Sequence, residues 1–235
     1  MSVTYEARDG IATITLDDGK VNAMAGPFFA ALNEAFDRAE AERPHAVVLT
    51  GRPGYFSAGL NLKLLPTLGP PDLKATLVAF GETMLRAFTF PIPMVAAVTG
   101  HAIGGGVFLA YACDERYFAD GPYKLYVNEV ADGMPLPTWA LAIARTAIPQ
   151  RWQVEAILQA RPYAPEEALS HDLVTAVVPP TDSVLDHARR EAGRFSRLDL
   201  GAYATAKRRM RERDVAWAQR NLDAEASGRT DRAPA

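Results

Sequence analysis

The run from Met94 to Asp114 does most to limit what this chain can fold into. Met94-Val95-Ala96-Ala97-Val98 is uniformly apolar, the pattern of a strand covered on both faces. Gly100-His101-Ala102-Ile103-Gly104-Gly105-Gly106 then makes a glycine turn, and the chain continues as an apolar, helix-like segment ending in Ala112-Cys113-Asp114. A buried strand feeding a buried helix belongs to a layered α/β protein. Three consecutive glycines let another group approach the bare backbone, with N–H groups and the positive end of the helix facing it. Such a turn can hold a developing negative charge.

Strands and helices alternate through the rest of the chain. Strands are expected over 3–7 and 11–16 around the turn Asp9-Gly10, and again over 46–50, 94–98, 116–119, 123–126 and 173–178. Helices are expected over 27–42, about 72–90, 104–113, 135–147, 150–159, 165–170 and 182–197. The first of these places Phe28, Ala31, Leu32, Ala35 and Phe36 on one face. The pattern divides into a core over residues 1–180 and a helical C-terminal extension over 181–235, whose last stretch, Gly228 to Ala235, is expected to fray. No internal repeat is present.

Composition narrows the function classes. A formal net charge of −3 gives no reason to expect nucleic acid or an anionic membrane as partner. No apolar span approaches membrane length, and the start, Met1-Ser2-Val3-Thr4-Tyr5-Glu6, lacks a signal-peptide pattern, so a cytoplasmic protein is expected. The single cysteine, Cys113, excludes an intrachain disulfide and reads as a packed thiol. The glycines fit neither common nucleotide loop. No Lys-Ser/Thr follows Gly105, as a phosphate-binding loop requires, and Gly100-His101-Ala102 breaks the dinucleotide fingerprint.

A second turn stands beside the first. Phe56-Ser57-Ala58-Gly59-Leu60-Asn61-Leu62 also follows a buried-strand pattern and also carries a glycine where the chain can bend. Backbone donors from two such loops converging on one oxygen would form an oxyanion hole. Taken alone, glycine-rich turns read first as plain turns.

The two motifs together resemble the enoyl-CoA hydratase/isomerase (crotonase) superfamily, over roughly residues 3–178. The resemblance implies an α/β spiral of ββα turns, a helical C-terminal trimerisation region and a homotrimer or hexamer. It implies acyl-CoA thioesters as substrate, with no metal or organic cofactor beyond the substrate's own coenzyme A. Carried onto this chain, it implies Leu60 and Gly105 as the backbone donors that hold the thioester oxygen. One departure is Asn61, where the first motif of the family usually has Asp; this loses a charge and leaves the donors intact.

Hydratases of that family use two glutamates. The position of the first is Phe108 here, which can neither hold nor activate water, while Glu129 stands 21 residues further on at the second. A lone carboxylate in an apolar pocket suits a proton shuttle between C2 and C4 of an enoyl chain better than water addition, and burial should raise its pKa. The segment 125–139, with Asn128-Glu129 and Pro137-Thr138-Trp139, resembles the mitochondrial Δ3,Δ2-enoyl-CoA isomerases, in which one glutamate has this role. The expectation is therefore a Δ3-to-Δ2 enoyl-CoA isomerase with Glu129 catalytic; a 2-enoyl-CoA hydratase and a non-catalytic acyl-CoA binder are the alternatives.

Ala58, Lys63, Phe108 and Trp139 are the candidate substrate-binding residues, with Phe80, Leu125 and Tyr126 as further tunnel candidates. Lys63 reads either as a contact to a CoA phosphate or as a plain surface lysine. Asp132, in Ala131-Asp132-Gly133, reads as a turn former and His101 as a structural hydrogen-bonding group. Lys207-Arg208-Arg209 with Arg211 and Arg213 is expected to be a solvated helix face.

Overall fold

The computed structural model describes residues 2–180 and 182–228, so the fraying expected for 229–235 lies outside the described residues. Along the chain run β1 (Ser2–Arg8), β2 (Ile11–Asp17), β3 (Ala23–Met24) and α1 (Gly26–Glu42), then β4 (Ala46–Thr50), β5 (Gly54–Ser57), β6 (Gly59–Leu60) and α2 (Pro70–Phe88). Next come β7 (Met94–Val98), β8 (Gly100–Ile103), α3 (Gly105–Ala112), β9 (Glu115–Ala119), β10 (Leu125–Tyr126) and α4 (Thr138–Ala147). The chain closes with α5 (Pro165–Ser170), β11 (Ala176–Val178), α6 (Val184–Ala192) and α7 (Leu200–Ala226).

The main sheet has the order β1-β2-β4-β7-β9-β11; only the β1–β2 hairpin is antiparallel. A second layer pairs β10-β8-β5 and β3-β6, all parallel. Each unit lays one strand in the main sheet and the next in the second layer before its helix: β2, β3, α1; β4, β5–β6, α2; β7, β8, α3; β9, β10, α4. This is the ββα spiral expected from the resemblance.

The continuous apolar runs follow from this layering. In β4 and β7 successive side chains point to opposite faces. Val47, Leu49, Met94, Ala96 and Val98 enter the main core with α1, α2 and α3, while Ala46, Val48, Val95 and Ala97 pack against Val184, Ala188 and Ala192 of α6. α1 buries Phe28, Phe29, Leu32, Ala35, Phe36 and Ala39 at spacings of one helical face, opens with Pro27 in its first turn, and stops at Arg43 in the left-handed conformation.

Several expected elements differ. The helix expected over 135–147 begins only at Thr138, because Pro135 and Pro137 supply no N–H and Pro137 pushes residue 136 out of helical geometry. The run 150–159 is a 3₁₀ turn (Gln150–Trp152) followed by a π turn (Val154–Leu158), taken up afresh after Pro149. The helix expected over 182–197 ends at Ala192 and tightens into a 3₁₀ turn from Gly193, a poor helix former. The strand expected over 173–178 is confined to its last three residues.

The long helix is α7. It folds back over its own core, with Ala218 and Leu222 in the main hydrophobic cluster. Of the basic run expected to be solvated, Arg208, Arg209 and Arg213 are exposed, and the correction concerns Lys207 and Arg211. Lys207 is 5% exposed and, with Arg211, turns inward to Asp114. No helix among the described residues is long and apolar enough to cross a membrane.

Candidate active site

The first turn is held from beneath by polar side chains. Ser57 Oγ donates to the Asn22 carbonyl at 2.6 Å and accepts from Gly59 N–H at 3.0 Å. The buried Asn22 amide in turn donates to the carbonyls of Leu16, Tyr55 and Phe56. Asn61 N–H donates to the Met24 carbonyl at 2.8 Å, so the alternation of a strand points Leu60 N–H the other way. Gly59 has φ +78°, and a methyl group there would lie 2.6 Å from the Ile103 carbonyl oxygen and 2.7 Å from Gly105 N. Only glycine allows the two turns to touch backbone to backbone at this point.

The second turn carries the start of α3. Gly104 N–H donates to the Tyr126 carbonyl, and the Gly104 carbonyl accepts from Val107 and Phe108. Gly105, in the first turn of the helix, has no intrahelical acceptor for its N–H, and no other acceptor meets it among the described residues. Leu60 and Gly105 both border one apolar cavity of about 530 Å³, whose walls also include Ala58, Phe108, Glu129 and Trp139. The expected base, backbone donors and substrate-binding residues are thus brought together except for Lys63, which is exposed and lies outside the cavity wall.

Glu129 follows β10 in a turn closed by Met134 N–H on its own carbonyl at 2.8 Å. Its carboxyl group lies over Gly104, where a methyl group would stand 3.0 Å from Oε1 and 2.8 Å from Asn128 Oδ1; the φ of +52° there independently favours glycine. Oε2 is buried and has no hydrogen-bond partner among the described residues. Burial, reinforced by the nearby Asp132 carboxylate and opposed by the amides of residues 128 and 129, pushes the Glu129 carboxyl up to about 7. Near neutral pH such a group can both take and return a proton.

Part of the same wall is aromatic. Phe108 is buried and meets Trp139 edge-on at 5.6 Å, and Trp139 meets Phe80 edge-on at 4.6 Å. A second carboxylate, Glu225 of α7, also borders the cavity, but both its oxygens are 3.0 Å from Thr138 N. Leu125 and Tyr126 are not on the wall. His101 Nδ1 accepts from Lys124 N–H between the rings of Tyr55 and Tyr123. Asp132 accepts from Asn128 Nδ2 within the turn. The Cys113 thiol is buried, its pKa raised to about 12 by desolvation.

The sequence assigns no role to Asn22, Leu222 or Glu225, and Asn128 enters only as part of the motif around Glu129. Asn128 adjoins Glu129, and its neighbourhood was the available signal. The two residues of α7 carry no local signal, since their partners are far away along the chain.

The chain matches the enoyl-CoA hydratase/isomerase family over residues 6–231. It is 29% identical over 229 residues to the human mitochondrial enoyl-CoA delta isomerase 1, covering 91% of this chain and 74% of that protein. It is 32% identical over 203 residues to the probable enoyl-CoA hydratase EchA17 of Mycobacterium tuberculosis, covering 84% and 76%. Among solved structures, an apo enoyl-CoA isomerase of Mycobacterium tuberculosis superposes with a TM-score of 0.88 at 34% identity, covering 96% of this chain and 97% of that one. With the ββα spiral and the paired glycine turns already in view, these likenesses place the chain in the enoyl-CoA hydratase/isomerase family.

Proposed function

We propose that the protein is a Δ3-to-Δ2 enoyl-CoA isomerase. The observation that carries this is Glu129, whose buried Oε2 has no hydrogen-bond partner among the described residues, facing the same apolar cavity as two backbone donors. The thioester oxygen accepts from Leu60 and Gly105 N–H, which form the oxyanion hole. Glu129 removes a proton from C2 of the 3-enoyl chain, and the electron pair spreads over the dienolate to the oxygen held by the two amides. The protonated Glu129 then delivers the same proton to C4, leaving the double bond between C2 and C3. Ala58, Phe108 and Trp139 enclose the acyl chain and exclude water, and Lys63 lies outside for the CoA phosphates. The scheme gives no metal or organic cofactor a part, and it carries the expectation of a cytoplasmic homotrimer or hexamer.

Hydration is the second reading, favoured by the likeness to EchA17. It needs a second group to hold water. Phe108 cannot, and Glu225 is already held by the N–H and hydroxyl of Thr138. The test is turnover of a 3-enoyl-CoA, followed by conjugated-thioester absorbance. Robust isomerisation that collapses in Glu129→Gln supports the proposal. Hydration of crotonyl-CoA at a higher rate than isomerisation would replace it. Acyl-CoA binding without C2 deuterium exchange would leave a non-catalytic binder.

A further inference from the structure

We propose that Glu225, at the end of α7, is a positioning residue: its carboxylate, seated on the first residue of α4, fixes the loop that carries Glu129 and thereby the geometry of proton transfer. The inference rests on Glu129 as the base and deepens that reading.

The N-cap of α4 is Pro137, which has no side-chain acceptor, so Thr138 N–H begins the helix as an orphan donor. The acceptor comes from 87 residues away. Both Glu225 oxygens stand 3.0 Å from Thr138 N, and Thr138 Oγ1 donates to Oε1. A carboxylate at that end of a helix also lies in the favourable field of the backbone dipoles. The same turn of α7 is held on its other sides: Asp223 pairs with Lys74 of α2 at 2.6 Å, and Leu222 enters the main core.

From Thr138 the constraint runs a short way to the base. Pro135-Leu136-Pro137 has two fixed φ angles, and the next residue back, Met134, donates its N–H to the Glu129 carbonyl. Glu225 also borders the cavity into which Glu129 faces. Thus α7 does more than cover the core. It closes a wall of the cavity and pins the strut behind the catalytic turn.

The experiment compares Glu225→Gln, Thr138→Val, their combination, and Thr138→Ser, which keeps both donors. Three quantities are measured: Tm, kcat and KM for a 3-enoyl-CoA, and the ionisation midpoint of Glu129 in ligand-free protein. The midpoint is read by infrared titration of the carboxyl band that is absent from Glu129→Gln. A misplaced base should lower kcat about tenfold with KM within about twofold, and the midpoint should fall toward the ordinary carboxylate range as water reaches Oε2. Thr138→Ser should restore both, and the double variant should match the worse single one. Variants that lose Tm but keep kcat and the midpoint overturn the proposal, leaving a purely structural cap. The midpoint needs no substrate, so it separates the two readings. A shifted midpoint in a protein that never isomerises sustains the positioning role and removes the proposed reaction. An active isomerase with unmoved midpoint and kcat does the reverse.

Discussion

Asp114 and Glu129 are both acids withdrawn from water, and the molecule treats them oppositely. Asp114, just beyond α3, has both oxygens answered. Oδ2 accepts from Met94 N at 2.8 Å, Tyr203 Oη at 2.5 Å and Lys207 Nζ at 2.9 Å, and Oδ1 from Arg211 at 3.3 Å. Glu129 has a buried oxygen with no partner. Burial alone would raise both pKa values. At Asp114, Lys207 and the other donors outweigh it and hold the carboxyl below the usual range; at Glu129 burial prevails. The lesson is that partners, more than depth, decide whether a buried acid serves as structure or as chemistry.

Exchanging the two roles should therefore give opposite failures. Glu129→Gln should lower kcat about 10³-fold, within the range for loss of a general base, while urea unfolding at neutral pH shows no loss of stability. Stability lost in parallel with activity would mean that Glu129 is a structural group. Asp114→Ala should do the converse. It leaves buried cations unpaired and should cost about 3–5 kcal/mol in urea unfolding, with kcat per folded molecule retained. A cost below about 1 kcal/mol would show that water already screens the cluster.

The pH dependences sharpen the contrast. A base must be ionised, so kcat/KM should rise with pH through a midpoint of about 7. For stability the raised folded-state pKa means that the native state holds its proton more tightly than the unfolded chain. The stabilisation from Glu129 is complete below the ordinary carboxylate range and is lost as pH rises through about 7. Glu129→Gln should accordingly gain about 3 kcal/mol relative to the parent at pH 8 and nothing at pH 4, measured by urea unfolding at each pH. Asp114 has the opposite sign: its contribution is present above the usual carboxylate range and disappears on acidification, so Asp114→Asn should flatten the acid limb of the same curve. The smallest effect is expected outside both regions. Lys63→Ala should raise KM for the CoA thioester by about two- to threefold with kcat unchanged, as for an exposed ionic contact; a fall in kcat would place Lys63 inside the reaction geometry.

How legible each region was follows from the range of the forces involved. β4, β7, α1 and the start of α3 were readable because a strand buried on both faces and a one-faced helix each print their own periodicity. The strands of the second layer were not foreseen at β5 and β8, and β3 and β6 are two residues long. Such segments carry no period and are strands only because neighbours pair with them. In the site, the glycine turns and the replacement of an acid by Phe108 were visible in the residues, and the resemblance pointed to Glu129. Lys207 and Arg211 were misjudged because a basic run on a polar helix looks solvated until Asp114 is set beside it.

The amino-acid sequence by itself determined the order of the main-sheet strands and of the longer helices, the two turns that could present bare N–H groups, and the apolar Phe108 beside the second of them. Those properties depend on residues within a few positions of one another. Only the tertiary structure decided that Gly59 would abut Gly105, that Oε2 of Glu129 would lack a partner while Asp114 gained four, and that Glu225 would cap a helix 87 residues earlier. Electrostatic and hydrogen-bonding energies depend on separation in space and on solvent access, and separation along the chain specifies neither.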